Sequence, residues 1–98
     1  MKSKEQKYSL FTALAHPTRR RILRAMMDKE IHVIATPLKL SEDLEGQLSM
    51  VSYHIRILVK CKAIRLAQTK RVKGSTQHFY RLTLSAAWAR DALETTKD

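Results

Sequence analysis

The clearest hydrophobic pattern in the chain lies between Ser49 and Lys60, where apolar residues recur at the spacing of one buried helical stripe: Val51, Ile55, Leu58 and Val59. The other side of this segment offers hydrogen bonds or positive charge and has no acidic residue: Ser49, Ser52, Tyr53, Arg56 and Lys60. Ser49 is the predicted N-cap, because its hydroxyl can accept from a backbone N–H of the first turn. The pattern favours a helix that enters a DNA major groove. Taken alone, the segment is explained equally well as a solvated amphipathic helix.

Two helices are predicted at the start of the chain. The first covers about residues 4–15 and has a short apolar stripe made of Tyr8, Leu10, Phe11 and Leu14. It ends at His16, because the residue before a proline is pushed out of the helical conformation. Pro17 suits the first turn of the second helix, which is predicted to run to about Lys29 and to bury Ile22, Leu23, Met26 and Met27.

A helix-turn-helix is predicted across residues 36–60, after a short β-branched strand at 31–34. Thr36 is the predicted N-cap of a helix that starts at Pro37 and ends near Leu44. Gly46 is predicted to take the left-handed conformation that often ends a helix. Two short helices joined by a glycine-containing turn, the second with a polar outer face, form this motif.

Beyond Lys60 the apolar period changes to two over residues 64–83, which predicts a β-hairpin with Ile64 and Leu66 facing inward. A hairpin directly after the second helix of a helix-turn-helix is a wing. Three cations at its predicted tip are placed to meet phosphates or a minor groove: Lys70, Arg71 and Lys73.

A last helix is predicted over about residues 85–96, with Ser85 as its cap. An exposed Trp88 on this helix would be costly for a monomer. The first and last helices are therefore predicted to form a homodimer interface through Tyr8, Phe11, Trp88 and Leu93; the alternative is that the last helix packs onto the core of its own chain. The predicted fold class is mainly α with a small β-hairpin (α+β). It is a single winged helix-turn-helix domain over residues 1–98 with N- and C-terminal dimerisation helices.

The charge of the chain favours a DNA-binding helix over a merely solvated amphipathic helix. The chain has 19 Lys and Arg residues against 9 Asp and Glu, a formal net charge of +10. So large an excess in a small domain indicates a polyanionic partner, either nucleic acid or an anionic membrane surface. Residues 46–90 contain no acidic side chain, which favours nucleic acid. Double-stranded DNA fits better than RNA, whose deep, narrow major groove a rigid helix cannot read.

Several function classes are disfavoured. The sequence has no Gly-rich phosphate loop and no paired carboxylates or nucleophile–base pair suited to an active site. The lone Cys61 and the scattered His16, His32, His54 and His78 have no metal-ligand spacing. No secretory signal or long apolar stretch is present. We therefore expect a soluble, cytoplasmic protein that is not an enzyme and that has no cofactor, metal or membrane partner.

Four segments resemble the ArsR-type winged-helix transcriptional regulators: LAHPTRRRIL (14–23), TPLKLSEDL (36–44), VSYHIRIL (51–58) and KGSTQHFYRLT (73–83). The resemblance covers about residues 10–88. It implies a symmetric dimer made by the first and last helices, a VSYH helix in the major groove and a hairpin on the flanking backbone. The groove residues would be Ser49, Ser52, Tyr53 and Arg56, with Lys60 on the backbone and Lys70, Arg71 and Lys73 as the wing contacts.

The resemblance also sorts the remaining polar residues. Arg19 matches an arginine that is held within the fold, which leaves Arg20 and Arg21 as candidate phosphate contacts together with Thr36 and Lys39. His54, at the edge of the apolar stripe, is expected to make a structural hydrogen bond. The family commonly has glycine just after the recognition helix, whereas this chain has Lys62 and Ala63. One residue there must then take a strained or modified helix end.

The sequence therefore predicts a homodimeric, sequence-specific regulator, a repressor in our interpretation, that binds a pseudo-palindromic site on double-stranded DNA. Two alternatives stay open. One is a winged-helix module for protein–protein contact, since fold alone does not fix function. The other is a non-specific, architectural DNA-binding protein.

Overall fold

Helices surround a small sheet in the chain order of the computed structural model, which describes residues 8–28, 34–84 and 87–95. The elements in chain order are α1 (Leu10–Leu14), α2 (Pro17–Asp28), β1 (Ile34–Ala35), α3 (Pro37–Leu44), α4 (Leu48–Lys60), β2 (Ile64–Val72), β3 (Ser75–Leu82) and α5 (Ala87–Thr95). This order confirms the predicted α+β winged helix-turn-helix. Helix α1 starts later than predicted, at Leu10, because Ser9 is its extended N-cap and accepts from the Thr12 N–H. Residues 4–7 of the predicted helix, the strand residues 31–33 and the Ser85 cap lie outside the described residues.

The core lies between the helices and the base of the hairpin. The predicted stripe of α4 faces it, with Val51, Ile55 and Leu58 buried against Ile22 and Leu23 of α2 and further apolar residues. Leu93 of α5 is also buried within its own chain. Among the described residues, no helix is long and apolar enough to cross a membrane.

The three strands form one antiparallel sheet in the order β1-β3-β2. Ala67 is an extra residue in β2, because Leu66 pairs with Tyr80 whereas Gln68 pairs with Phe79. Such a bulge bends its strand and interrupts a strict alternation of faces. The predicted inward position of Leu66 is wrong, since its side chain is exposed.

The tip of the wing is shorter than predicted. β2 continues to Val72, so Lys70 and Arg71 lie within a strand and only Lys73 and Gly74 form the turn. Both turn residues have positive φ, at 50° and 84°. Two-residue hairpin turns of this kind match the twist of the flanking strands.

The turn between α3 and α4 differs from the prediction at both of its ends. Glu45, not Gly46, is left-handed (φ 56°, ψ 41°), and the Gly46 N–H instead donates to the Ser41 carbonyl. Gln47 is the N-cap of α4, without a side-chain cap bond, and its carbonyl accepts the first helical hydrogen bond from Val51. The predicted cap Ser49 lies inside the helix, because the tight turn brings Gln47 into the extended cap conformation first.

The end of α4 has the strained residue that the sequence predicted. Lys62 has a φ of 64°, and its N–H donates to the Val59 carbonyl while the Ala63 N–H donates to Leu58. These two hydrogen bonds satisfy two terminal carbonyls of the helix. In this arrangement the left-handed position is normally occupied by glycine. A lysine there leads the chain directly from α4 into β2.

Candidate nucleic-acid interface

The helix-turn-helix presents α4 on the surface of the molecule. Residues that recur every three or four positions along α4 place their side chains in solvent: Ser49, Tyr53, Arg56 and Lys60. Ser52 lies beside this row and is half-buried. The described structure therefore brings the five predicted recognition-helix residues to one outward side, opposite the buried stripe.

A groove of about 550 Å³ separates α4 from the wing. One wall consists of Ser52 and Arg56, with Ile55 at the base, and the start of α3 closes one end. The other wall comes from β3 and adds four polar residues to the groove: Ser75, Thr76, Gln77 and His78. The groove thus offers hydrogen-bond donors and acceptors from three elements, and none of its described lining residues is acidic.

The sequence did not identify the β3 residues of this groove. Their polarity is typical of any exposed strand, and only the packing of the hairpin against α4 places them near Arg56. The groove is also lined by Leu38 and Leu48, in the first turns of α3 and α4, which the sequence did not identify either.

The wing cations do not form a single cluster. Lys70 and Arg71 are neighbours in β2, opposite Gln77 and Thr76, and successive strand residues point to opposite faces. Lys73 lies in the turn, beyond both. All three side chains are exposed, so they can reach phosphates on different sides of the hairpin.

Arg19 and His54 connect the helices behind the recognition surface. The Arg19 guanidinium donates through Nε to the Thr12 carbonyl (3.1 Å), and its Nη1 lies 3.1 Å from His54 Nδ1. Both side chains are buried, as expected for a structural histidine and an internal arginine. Burial lowers the pKa of His54 below its usual range, and the nearby His16 and Arg19 lower it further.

The candidate phosphate contacts lie near the starts of α2 and α3, the two helices that pack against α4. Arg20 donates to the Leu14 carbonyl (2.7 Å) and Arg21 to the Leu44 carbonyl (2.9 Å). A guanidinium has five N–H groups, so the bond to Leu44 uses only part of the donor capacity of Arg21. Thr36 accepts from the Lys39 N–H as the predicted N-cap, and Lys39 forms a 3.3 Å ion pair with Asp43.

The predicted interface residues at the other end of the molecule fall into two groups. Phe11 and Trp88 are 74% and 48% exposed, and their rings stack with centroids 5.1 Å apart. Tyr8 is partly buried, with Lys60 Nζ 5.2 Å from its ring centroid. Leu93 is a correction: it follows Ala89 by four residues on the inner face of α5 and is only 1% exposed, so it has no surface to offer a partner.

In the part of the chain that the structure describes, no three His, Cys, Asp or Glu side chains lie close enough together to bind a metal ion. Cys61 is buried at the end of α4, and burial raises the pKa of its thiol. His16 is occupied locally, because its Nδ1 accepts from the Thr18 N–H at 3.0 Å.

Comparison with known families agrees with this geometry. A family model described as a helix-turn-helix domain matches residues 14–66, which is more than half of the chain. The matched segment runs from the end of α1 into β2 and includes α3, α4 and the turn between them. No curated protein matches the sequence with significant similarity.

Proposed function

The chain belongs to the helix-turn-helix domain family, and on this premise we propose that it is a sequence-specific regulator of transcription that binds double-stranded DNA as a homodimer. The observation that carries the proposal is the outer side of α4. It is polar and cationic, it lies beside a groove without acidic residues, and it belongs to a stretch, residues 46–90, that has no acidic residue at all.

Direct reading of bases is assigned to Ser49, Ser52, Tyr53 and Arg56. A guanidinium can bond to O6 and N7 of guanine in the major groove, while hydroxyl groups adapt to several base edges. Arg56 is supported in this role by its exposure and its place on the wall of the groove. Lys60, one turn further on and beside Tyr8, is assigned to the DNA backbone.

Contacts to the phosphates are assigned to the wing and to the ends of the neighbouring helices. On the wing the residues are Lys70, Arg71 and Lys73, and around the helix ends they are Arg20, Arg21, Thr36 and Lys39. Phosphate contacts fix the register of a protein on DNA but carry no sequence information directly. Among these residues Lys39 is the weakest candidate, because Asp43 already pairs with its charge.

A dimer is supported by the exposed, stacked rings of Phe11 and Trp88, which place a large apolar surface in water. Two-fold symmetry would place two α4 helices about one helical turn of DNA apart, ~34 Å, on a pseudo-palindromic site. Such a dimer on a promoter would exclude other proteins from it, and we therefore propose repression. These features together resemble the ArsR-type regulators.

The test is selection of bound sequences from a random pool of double-stranded DNA, with the mass of the protein measured in solution. We expect an enriched palindrome and a dimeric mass. Binding without an enriched sequence would assign the protein to the architectural class. Failure to bind DNA would contradict the proposal and favour a module for protein–protein contact.

A further inference from the structure

Two leucines are exposed beside the polar outer side of α4. Leu38, in the first turn of α3, is 51% exposed, and Leu48, the first residue of α4, is 46% exposed. Single exposed leucines are ordinary on protein surfaces. These two, however, line the same groove as Ser52 and Arg56. Their exposed side chains are therefore available for contact with whatever binds there.

The position of Leu48 on α4 gives it a specific relation to the proposed base-reading residues. Leu48, Ser52 and Arg56 follow one another at intervals of four, so they lie along one side of the helix and all reach the groove. A side chain on this row that offers no hydrogen bond can recognise only an apolar feature of its target.

The major groove of DNA has one such feature. Thymine presents its C5-methyl group there, and an apolar side chain is the natural contact for it. We propose that Leu38 and Leu48 form an apolar contact for the 5-methyl group of a pyrimidine, which makes Leu48 a specificity-determining residue. The same chemistry is shared by thymine and by 5-methylcytosine. This inference rests on the proposed function.

The helix geometry also limits where the methyl group lies. Leu48 and Arg56 are eight residues apart, which is about 12 Å along a helix axis. With base pairs spaced by ~3.4 Å, this rise along the backbone spans about three to four base pairs, so the pyrimidine lies within a few base pairs of the pair read by Arg56.

The experiment uses the site enriched from the random pool. Each thymine is replaced singly by deoxyuridine, which removes only the methyl group, and each cytosine by 5-methylcytosine, which adds one. Loss of one buried methyl contact is expected to weaken binding roughly four-fold, equivalent to about 0.8 kcal/mol. Since no charge changes, the dependence of binding on salt stays the same.

Two variants give the matched comparison. Leu48→Ala should abolish the discrimination between thymine and deoxyuridine. Met50→Ala should keep it, because Met50 is 50% exposed on the same helix but lines a different cavity with Thr18 and Arg21. Both variants alter exposed side chains and should fold, which circular dichroism would test.

The outcomes separate cleanly. A four-fold loss at one thymine that depends on Leu48 assigns the contact to thymine. A gain at one cytosine on methylation, without any loss on deoxyuridine substitution, assigns it to 5-methylcytosine. Specific DNA binding that responds to neither substitution, or discrimination that survives Leu48→Ala, overturns the inference and leaves the proposed function intact.

Discussion

Arg19 Nη1 lies 3.1 Å from His54 Nδ1, and this contact joins α2 to the buried side of the recognition helix α4. A guanidinium can only donate hydrogen bonds, so His54 Nδ1 must accept and the ring proton must be on Nε2. The imidazole is therefore neutral when this bond is formed. Because Arg19 also donates to the Thr12 carbonyl, one side chain connects α1, α2 and α4 and helps to set the orientation of α4.

This arrangement predicts that the protein loses stability in mild acid through His54. Burial, His16 and Arg19 lower the pKa of His54 in the folded state, whereas an unfolded histidine titrates near 6.5. The unfolded state therefore binds more protons as the pH falls below about 6.5, and the free energy of unfolding decreases. Above that pH the contribution is constant. Urea unfolding of the wild type between pH 7.5 and pH 5 measures the effect.

The matched variants for this prediction are His54→Gln and His54→Leu. Glutamine keeps an acceptor for Arg19 but does not titrate, so its stability should depend less on pH than that of the wild type. Leucine removes the acceptor from a buried guanidinium and should cost ~1–3 kcal/mol at neutral pH. Equal pH dependence in wild type and His54→Gln would show that other groups control the acid response.

The left-handed residue at the end of α4 predicts a stabilising substitution. Lys62 has a φ of 64°, a conformation in which its Cβ is strained whereas glycine is not. Lys62→Gly should raise the free energy of unfolding by about 1 kcal/mol. Lys62→Ala is the control, because it removes the same charge but keeps the Cβ, and it should give no such gain. A gain of equal size in both variants would indicate charge repulsion instead of backbone strain.

The sequence predicts the buried side of α4 correctly but not the residues that cap the end of α3 and the start of α4. The buried stripe of α4 was predictable because a one-sided core imposes the helical period on Val51, Ile55 and Leu58. Ser49 is a better cap by residue type than Gln47, yet the turn after Glu45 decides which residue becomes extended first. Left-handed Glu45 contradicts residue preference, because tertiary packing of α3 against α4 overrides a local bias of about 1–2 kcal/mol.

The groove beside α4 could not be predicted, because its residues are distant in the sequence. Leu38, Leu48 and His78 come together only when the hairpin lies against the helix-turn-helix. The bulge at Ala67 changes which faces of β2 point inward, and no feature of the local sequence marks it. The electrostatic character of the site was more accessible, since the acid-free stretch of residues 46–90 is independent of such details.

Arg56 is predicted to carry the largest share of base specificity. Arg56→Ala should weaken binding to the selected site by ~1–3 kcal/mol and relax the preference at one base pair. Binding of the variant to a panel of sites, each changed at one position, measures both effects. Met50→Ala is the control, because Met50 is exposed on the same helix but lines a different cavity, and it should leave the base preference unchanged. An equal loss on every sequence would assign Arg56 to a phosphate.

The wing is predicted to contribute to affinity through charge alone. Replacing Lys70, Arg71 and Lys73 together by Ala should reduce the slope of log K against log salt by up to about three units, since each phosphate contact contributes ~0.9. The preference for the selected sequence should stay the same. Arg65→Ala, near the start of β2 and away from the turn, is the control. A slope that the triple variant leaves unchanged would remove the wing from the interface.

The exposed aromatic pair Phe11–Trp88 predicts how the proposed dimer can be broken without unfolding the chain. Phe11 is mostly exposed in the single chain, so Phe11→Glu should lower the free energy of monomer unfolding only by the loss of its stacking on Trp88, about 0.5–1.5 kcal/mol. If two copies bury this surface, the new carboxylates would face each other in an apolar contact and the protein should become monomeric. Its mass in solution at micromolar concentration measures this. Binding to a palindrome should weaken more than binding to one half-site, because only a dimer contacts both half-sites at once.

Two control variants separate this effect from general damage. Leu66→Glu introduces the same charge at an exposed leucine of β2, away from the aromatic pair, and should stay dimeric. Leu93→Ala removes a buried side chain from the core of α5 and should cost ~2–5 kcal/mol of stability. While it remains folded, however, it should still dimerise, because Leu93 does not reach the surface. A dimeric Phe11→Glu protein would place the interface elsewhere, and a monomeric but stable Leu93→Ala protein would show that the orientation of α5, more than the aromatic surface itself, determines assembly.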